Sequence, residues 1–207
     1  MTDGMAALYG EGGPATEDAD VIFHSIPNQV TKRLNISVTA GQNQKDEAIL
    51  TGLERAGFRT DNGPDDAGLW IKYLQRGGGY YLDVGCSSLI ADKKIHVKSG
   101  HAITRVLPRG LEFDDGTRLD ADTIVFATGY LNMRTQCRRA FGDAVAEKVR
   151  DVWGFDEEGE LRTIWRRTGH RGFWFMGGNL ALCRWYSRLL ALQIKGLEEG
   201  LVGWDAV

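Results

Sequence analysis

Apolar positions recur at helical spacing in several stretches up to about residue 75, and from Lys94 they come as short alternating or continuous runs. In the first stretch, TEDAD (16–20) caps an apolar series through Val21, Ile22, Phe23, Ile26, Val30 and Leu34. This predicts helix, kinked or divided at Pro27. Residues 35–44 are poorer helix formers. A clear helical face follows through Ile49, Leu50 and Leu53 and stops at Gly57. After the turn-rich DNGPDD (61–66), residues 69–75 predict a short helix ending in Gly77-Gly78-Gly79. Residues 80–84 read as a strand and 87–91 as a short helix. Residues 95–97, 102–106 and 111–113 are β-like, and DDGT (114–117) predicts a hairpin turn between 111–113 and 118–119. DTIVFA (122–127) reads as a buried strand, 137–150 as a helix, and 156–160 as an acidic turn. Residues 1–16 are small, polar and Gly-rich, a loose lead. GEGGPA (10–15) matches a phosphate loop only on paper, because no strand precedes it.

Residues 172–197, GFWFMGGNLALCRWYSRLLALQIKGL, carry the strongest pattern. Phe173–Met176 is an apolar, aromatic run that predicts a short buried strand. Gly177 and Gly178 break it, and Asn179 is a good N-cap for a helix starting near Leu180. At a helical turn of about 100° per residue, Arg184, Arg188, Lys195 and Glu199 fall within roughly 60° of one another, leaving one narrow wet stripe on an otherwise enclosed helix. A strand, a glycine pair and a helix N-terminus together offer free N–H groups and a positive dipole end to an anionic ligand. The same pattern also describes an ordinary β-turn-α unit.

Composition narrows the function classes. The chain has 207 residues and a net charge of −3, so no nucleic-acid partner is implied. No apolar run reaches a membrane span, and the start has no secretory character. The three cysteines, Cys86, Cys137 and Cys183, are far apart and in no metal spacing. They read as reduced thiols in a cytoplasmic protein, with no metal site. No Ser/His/Asp set is recognisable. Among the histidines, His24, His96 and His101 read as surface or satisfied core residues, and His170, just before the 173–176 run, is the best placed for function.

Four segments together carry a resemblance: GGGYYLDVG (77–85), GLEFDDGTRLDADTIVFATGY (110–130), DVWGFDEEGELRTIWR (151–166) and GFWFMGGNLALCRWYSRLLALQIK (172–195). The chain resembles the flavin-containing monooxygenases of fungal and microbial type, from about Tyr9 to Gly200. The family's two glycine-rich phosphate loops and the Phe-Gly-His signature between them are absent. The chain therefore looks like the carboxy-terminal part of such an enzyme, beginning beyond the second loop. The implied fold class is α/β, an incomplete two-dinucleotide-binding-domain (Rossmann-like) flavoprotein. Residues 1–16 would be a flexible lead, 17–130 the remainder of the NADPH-binding domain with a helical insertion, and 131–207 the returning part of the FAD-binding domain.

The resemblance implies FAD and NADPH as cofactors and transfer of one oxygen atom from O₂ to a small organic substrate, lipophilic or amine-like. Cofactor contacts are expected at Thr128 and Gly129 and at Gly177, Gly178, Asn179 and Leu180, and no catalytic side chain is assigned. Arg184 and Arg188 are expected to pair with acidic neighbours or face water, or else to reach a phosphate. A non-catalytic fragment or interaction module that completes itself against a separate amino-terminal chain is the alternative. If that half is a separate chain, apolar surface should be bare, whereas burial of Trp174, Phe175 and Trp185 together would mark a self-contained protein. A pyridine-nucleotide disulfide reductase is the other enzyme considered, but its redox Cys pair is absent.

Overall fold

A computed structural model of the protein describes residues 3–204. It is a mixed α and β structure. Its helices are α1 (Asp3–Tyr9), α2 (Thr16–His24), α3 (Asn28–Lys45), α4 (Glu47–Arg55), α5 (Gly68–Arg76), α6 (Cys86–Ala91), α7 (Met133–Phe141), α8 (Asp143–Ala146) and α9 (Leu180–Glu198). Strands β1 (Ile103–Leu107), β2 (Gly110–Phe113) and β3 (Arg118–Asp120) form one antiparallel sheet in that order. No described helix is long and apolar enough to cross a membrane. The chain divides into two compact units, one of Met1–Ser37, Gly63–Tyr80 and Leu131–Val207, the other of Val38–Asn62 and Tyr81–Tyr130.

The first unit holds the larger core. The 3.6-residue period of α5 buries Ile71 and Leu74, and that of α9 buries Leu182 and Leu190. Leu74 and Leu182 join Val149, Val152, Ile164 and Trp165 of the connecting loops in one apolar cluster. Burying one such side chain contributes about 1.5–3 kcal/mol. Loops supply much of this core, so their backbone needs partners. Arg162 donates to the Trp153 carbonyl at 2.6 Å, and Thr168 Oγ1 to that of Phe173 at 2.7 Å.

In the second unit α4 packs on α6, where a Cβ on Gly52 would lie 2.8 Å from the Ala91 Cβ. Leu53 and Ile90 are buried. The hairpin forms at 114–117 as its sequence predicts. Asp115 Oδ1 accepts from the Thr117 amide at 3.0 Å, and Gly116 turns with φ +77°. Leu111 and Phe113 are buried, whereas β1 and β3 are mostly exposed.

Several expectations are corrected. Residues 80–84, 95–97 and 122–127 are not strands, and the 173–176 run contributes only an isolated parallel bridge, Phe175 with Ile164. A strand needs neighbours for its N–H and C=O groups. β1 to β3 form the sheet without these segments, and Val84 and Val125 stand 95% and 83% exposed. The 137–150 helix is instead α7 and α8, divided at Gly142 with φ +80°. Residues 35–44 belong to α3: a helix already nucleated at Asn28 extends through weaker formers, each costing less than about 1 kcal/mol. Part of the loose lead is helix α1. Pro27 divides α2 from α3 as expected.

The chain exposes 14191 Å². Several large apolar side chains are exposed: Leu180 is 86% exposed, Leu192 69% and Leu131 63%. Of the three aromatic markers, Phe175 is buried, and Trp174 and Trp185 are partly buried.

Candidate functional site

Residues 177–180 form a built turn within the first unit. The Trp165 amide donates to the Phe175 carbonyl at 2.9 Å, and Trp165 Nε1 to the Gly177 carbonyl at 3.0 Å, so one buried tryptophan fixes the approach to the turn. Gly178 has φ +101°, and a Cβ there would sit 2.6 Å from Leu182 Cδ1 and 2.8 Å from the Tyr73 hydroxyl. The Asn179 amide donates to that hydroxyl at 2.8 Å. Burial pushes the Tyr73 phenol pKa up, and the Asn179 N–H partly offsets this. Asn179 Oδ1 accepts from the Leu182 amide at 2.9 Å, the N-cap that its position predicts.

The amides of Leu180 and Ala181 have no hydrogen-bond partner among the described residues, at the positive end of a 19-residue helix. Met176 and Leu180 flank them, 58% and 86% exposed. The turn thus presents two donors beside an apolar surface, an arrangement that suits the electronegative edge of a flat aromatic ligand. Asn179→Ala removes one cap and is expected to cost about 0.5–2 kcal/mol in denaturant unfolding followed by tryptophan fluorescence. All six tryptophans lie in the first unit, so this signal reports on the turn's surroundings.

Arg184, one turn further along α9, is not available to a ligand phosphate. Its Nε donates to Asp20 Oδ2 at 2.7 Å and its Nη2 to Asp20 Oδ1 at 2.6 Å, while the Tyr9 hydroxyl donates to Oδ1 at 3.0 Å. Pairing is therefore the reading of Arg184 that holds. The Asp20 side chain is only 2% exposed. The Arg184 guanidinium holds the Asp20 pKa below the usual carboxylate range, against its burial. Burial, and then Asp20, push the Tyr9 phenol up to about 12.

His24 is the neighbouring surprise. Its ring stacks on Trp185 at 5.6 Å and 22°, with Phe23, Trp70 and Tyr186 around it, and Nε2 is buried without a partner. Burial pulls its pKa down to about 4, with Asp20 opposing and Arg184 assisting. Between its ordinary value near 6.5 and about 4, the unfolded chain binds the proton and the folded chain does not. His24 therefore contributes stability that is complete above about pH 6.5 and is lost as pH falls toward 4. Discounted for the partly wetted ring, the loss should be about 1–2 kcal/mol, read as a drop in denaturation midpoint from pH 7.5 to pH 5 that His24→Phe abolishes.

Thr128 and Gly129 lie in the second unit and the 177–180 turn in the first. Gly129 has φ +82°, and both residues are exposed in a segment without regular structure. The second unit also has an open cleft of about 710 Å³ lined by Glu47, Glu54, Phe58 and Arg59, with none of the expected site residues. His101, Asp114 and Asp115 bring ligand-type atoms within 4.8 Å of one another. Lys98 already sits on Asp115 at 2.6 Å and holds its carboxyl well below the ordinary range, so the group reads as a charge network that braces the hairpin. His170 has a buried, unpartnered Nδ1, and its amide donates to Thr168 Oγ1 at 3.2 Å.

Sequence reasoning missed the Tyr9–Asp20–Arg184 group and the Tyr73 hydroxyl under Asn179. Neither has a local signature: Asp20 and Arg184 are 164 residues apart, and Tyr73 and Asn179 are 106 apart. No protein-family model matches the chain, and comparison with curated proteins finds no significant relative.

Proposed function

We propose that the chain is the carboxy-terminal part of an FAD- and NADPH-dependent monooxygenase that inserts one oxygen atom from O₂ into a small organic substrate. In this reading it belongs to an incomplete Rossmann-like flavoprotein fold whose phosphate loops lie outside these 207 residues. The observation that carries the reading is the 177–180 turn, where Gly178 brings the backbone round to aim two unpartnered amides past Met176 and Leu180. Bound FAD would supply the redox chemistry and the reaction with O₂. The amides of Leu180 and Ala181 and the α9 dipole would favour negative charge on its ring.

The donor set fits the ring and not the pyrophosphate. A helix terminus contributes about 0.3–1 kcal/mol, and up to about 2 when partly buried. Micromolar affinity needs about 8 kcal/mol. Arg184, one turn into α9, is engaged by Asp20 and not set toward a phosphate. The second reading is an interaction module without catalysis, in which exposed apolar side chains such as Leu131, Leu180 and Leu192 would be covered by another polypeptide.

The test is flavin absorbance co-eluting with protein on gel filtration, with NADPH consumption in parallel. The chain alone should elute colourless and consume no NADPH in an FAD-dependent way. Mixed with a polypeptide carrying both phosphate loops of a flavin-containing monooxygenase, it should retain flavin. Flavin bound stoichiometrically by the chain alone would refute the need for a partner, and a mixture that never retains it would leave the interaction-module reading standing.

A further inference from the structure

Tyr73 stands where the 177–180 turn lacks a side chain. Its ring, on α5, is only 7% exposed. It packs against Trp70, Trp153 and Tyr80 at centroid distances of 5.6, 5.4 and 6.1 Å, and close packing of this kind holds it in place. The hydroxyl comes up beneath Gly178 and Asn179, where its oxygen accepts from the Asn179 amide at 2.8 Å. A Cβ at position 178 would lie 2.8 Å from the same oxygen, so the exposed glycine leaves it uncovered on that side. A phenol also carries one proton to donate, and this one has no acceptor among the described residues. Burial pushes the phenol pKa up, so the proton stays on the oxygen through the neutral range. A buried donor left unused costs stability, and the acceptor that completes this one comes from outside the fold.

We infer, on the flavin reading of the 177–180 turn, that Tyr73 is a specificity-determining residue whose hydroxyl donates to an acceptor atom on the edge of the ring. It joins the Leu180 and Ala181 amides as the one side-chain donor of that site. Charge decides what it adds. A hydrogen bond to an ionised acceptor is about twice as strong as one to a neutral acceptor. Two-electron reduction at pH 8 leaves a flavin ring anionic, so a neutral donor at its edge holds the reduced form more tightly than the oxidised form. The apolar and aromatic walls around Tyr73 lower the local dielectric and enlarge that difference. Tyr73 thus sets the oxidation state that the site prefers, through binding alone and without giving up its proton or an electron.

The test is titration of FMN into the whole chain at pH 8, oxidised and then dithionite-reduced without oxygen, followed by the ¹⁵N amide shifts of Leu180 and Ala181. Phosphate buffer keeps any phosphate subsite filled, so the variants are compared on the ring. The parent protein should bind reduced FMN more tightly than oxidised FMN. Tyr73→Phe should cut that preference about fivefold, equivalent to about 20 mV in the two-electron potential of the bound ring. Gly178→Ala keeps the hydroxyl but sets a methyl against it, so it should lose the same preference, and it decides the matter if Tyr73→Phe does not fold. A purely structural Tyr73 would weaken both forms by one factor. An unchanged preference in the folded variants would overturn the inference and leave the flavin reading intact. FMN that shifts neither amide in either oxidation state, at up to about 10 mM, would overturn the flavin reading and this inference with it.

Discussion

Gly178→Val should destabilise the first unit by about 3–4 kcal/mol. Two separate effects add. A branched side chain at φ +101° is in a region open almost only to glycine, which costs about 1–3 kcal/mol. The space is also filled, because the Cβ would meet Leu182 Cδ1 at 2.6 Å and the Tyr73 hydroxyl at 2.8 Å, and overpacking of this kind costs about 1–3 kcal/mol. Gly178→Ala separates the two, and its loss should be smaller. In that background Tyr73→Phe removes the oxygen that the new methyl meets, so the pair should be less damaging than the sum of the single changes, by about 1 kcal/mol. Denaturant unfolding followed by tryptophan fluorescence measures all four variants. Strict additivity would mean that Tyr73 and Gly178 are not in contact.

Arg184→Ala should be nearly as costly, at about 3 kcal/mol. It leaves a carboxylate that is 2% exposed with only the Tyr9 hydroxyl as partner. Breaking a buried pair from one side costs about 3–5 kcal/mol, and the low end applies because the Arg184 side chain is 39% exposed. Asp20→Asn should be milder, since the neutral amide keeps an acceptor for Tyr9 and leaves no buried charge. The pH dependence has a definite sign. The Asp20 pKa is lowered on folding, so its contribution is complete above the ordinary carboxylate range and disappears as pH falls through its lowered value. Arg184→Ala should remove that acid sensitivity and leave the one due to His24 at higher pH. Equal stability of Arg184→Ala and the parent protein would show that α2 is not anchored to α9 by this pair.

What could be read from the sequence was what short-range physics decides. The Asn179 cap, the 114–117 hairpin, the arrest of α5 at Gly77 and the division at Pro27 each depend on a few adjacent residues, and each is present. Strands at 80–84 and 122–127 could not be read, because a strand exists only with its partners. The apolar run DTIVFA specifies a buried strand, and the chain gives it no neighbour. Chemistry at a distance was equally hidden. Arg184 was legible as one member of a charged stripe, but its partner lies on α2. Gly178 was legible as a turn glycine, whereas the crowding that forbids a side chain comes from Tyr73 on α5 and Leu182.

The central claim is that this chain carries the ring-facing part of a flavin site and lacks the phosphate-binding part. Calorimetric titration of FAD into the chain, alone and with a polypeptide bearing the phosphate loops, addresses both halves. Alone, the dissociation constant should be weaker than about 100 µM, since two amides and a helix dipole fall several kcal/mol short of micromolar binding. With the partner it should tighten by at least about a hundredfold, and Gly178→Val should abolish the gain without preventing the two polypeptides from associating. Micromolar binding by the chain alone, or a gain that Gly178→Val leaves intact, would contradict the account.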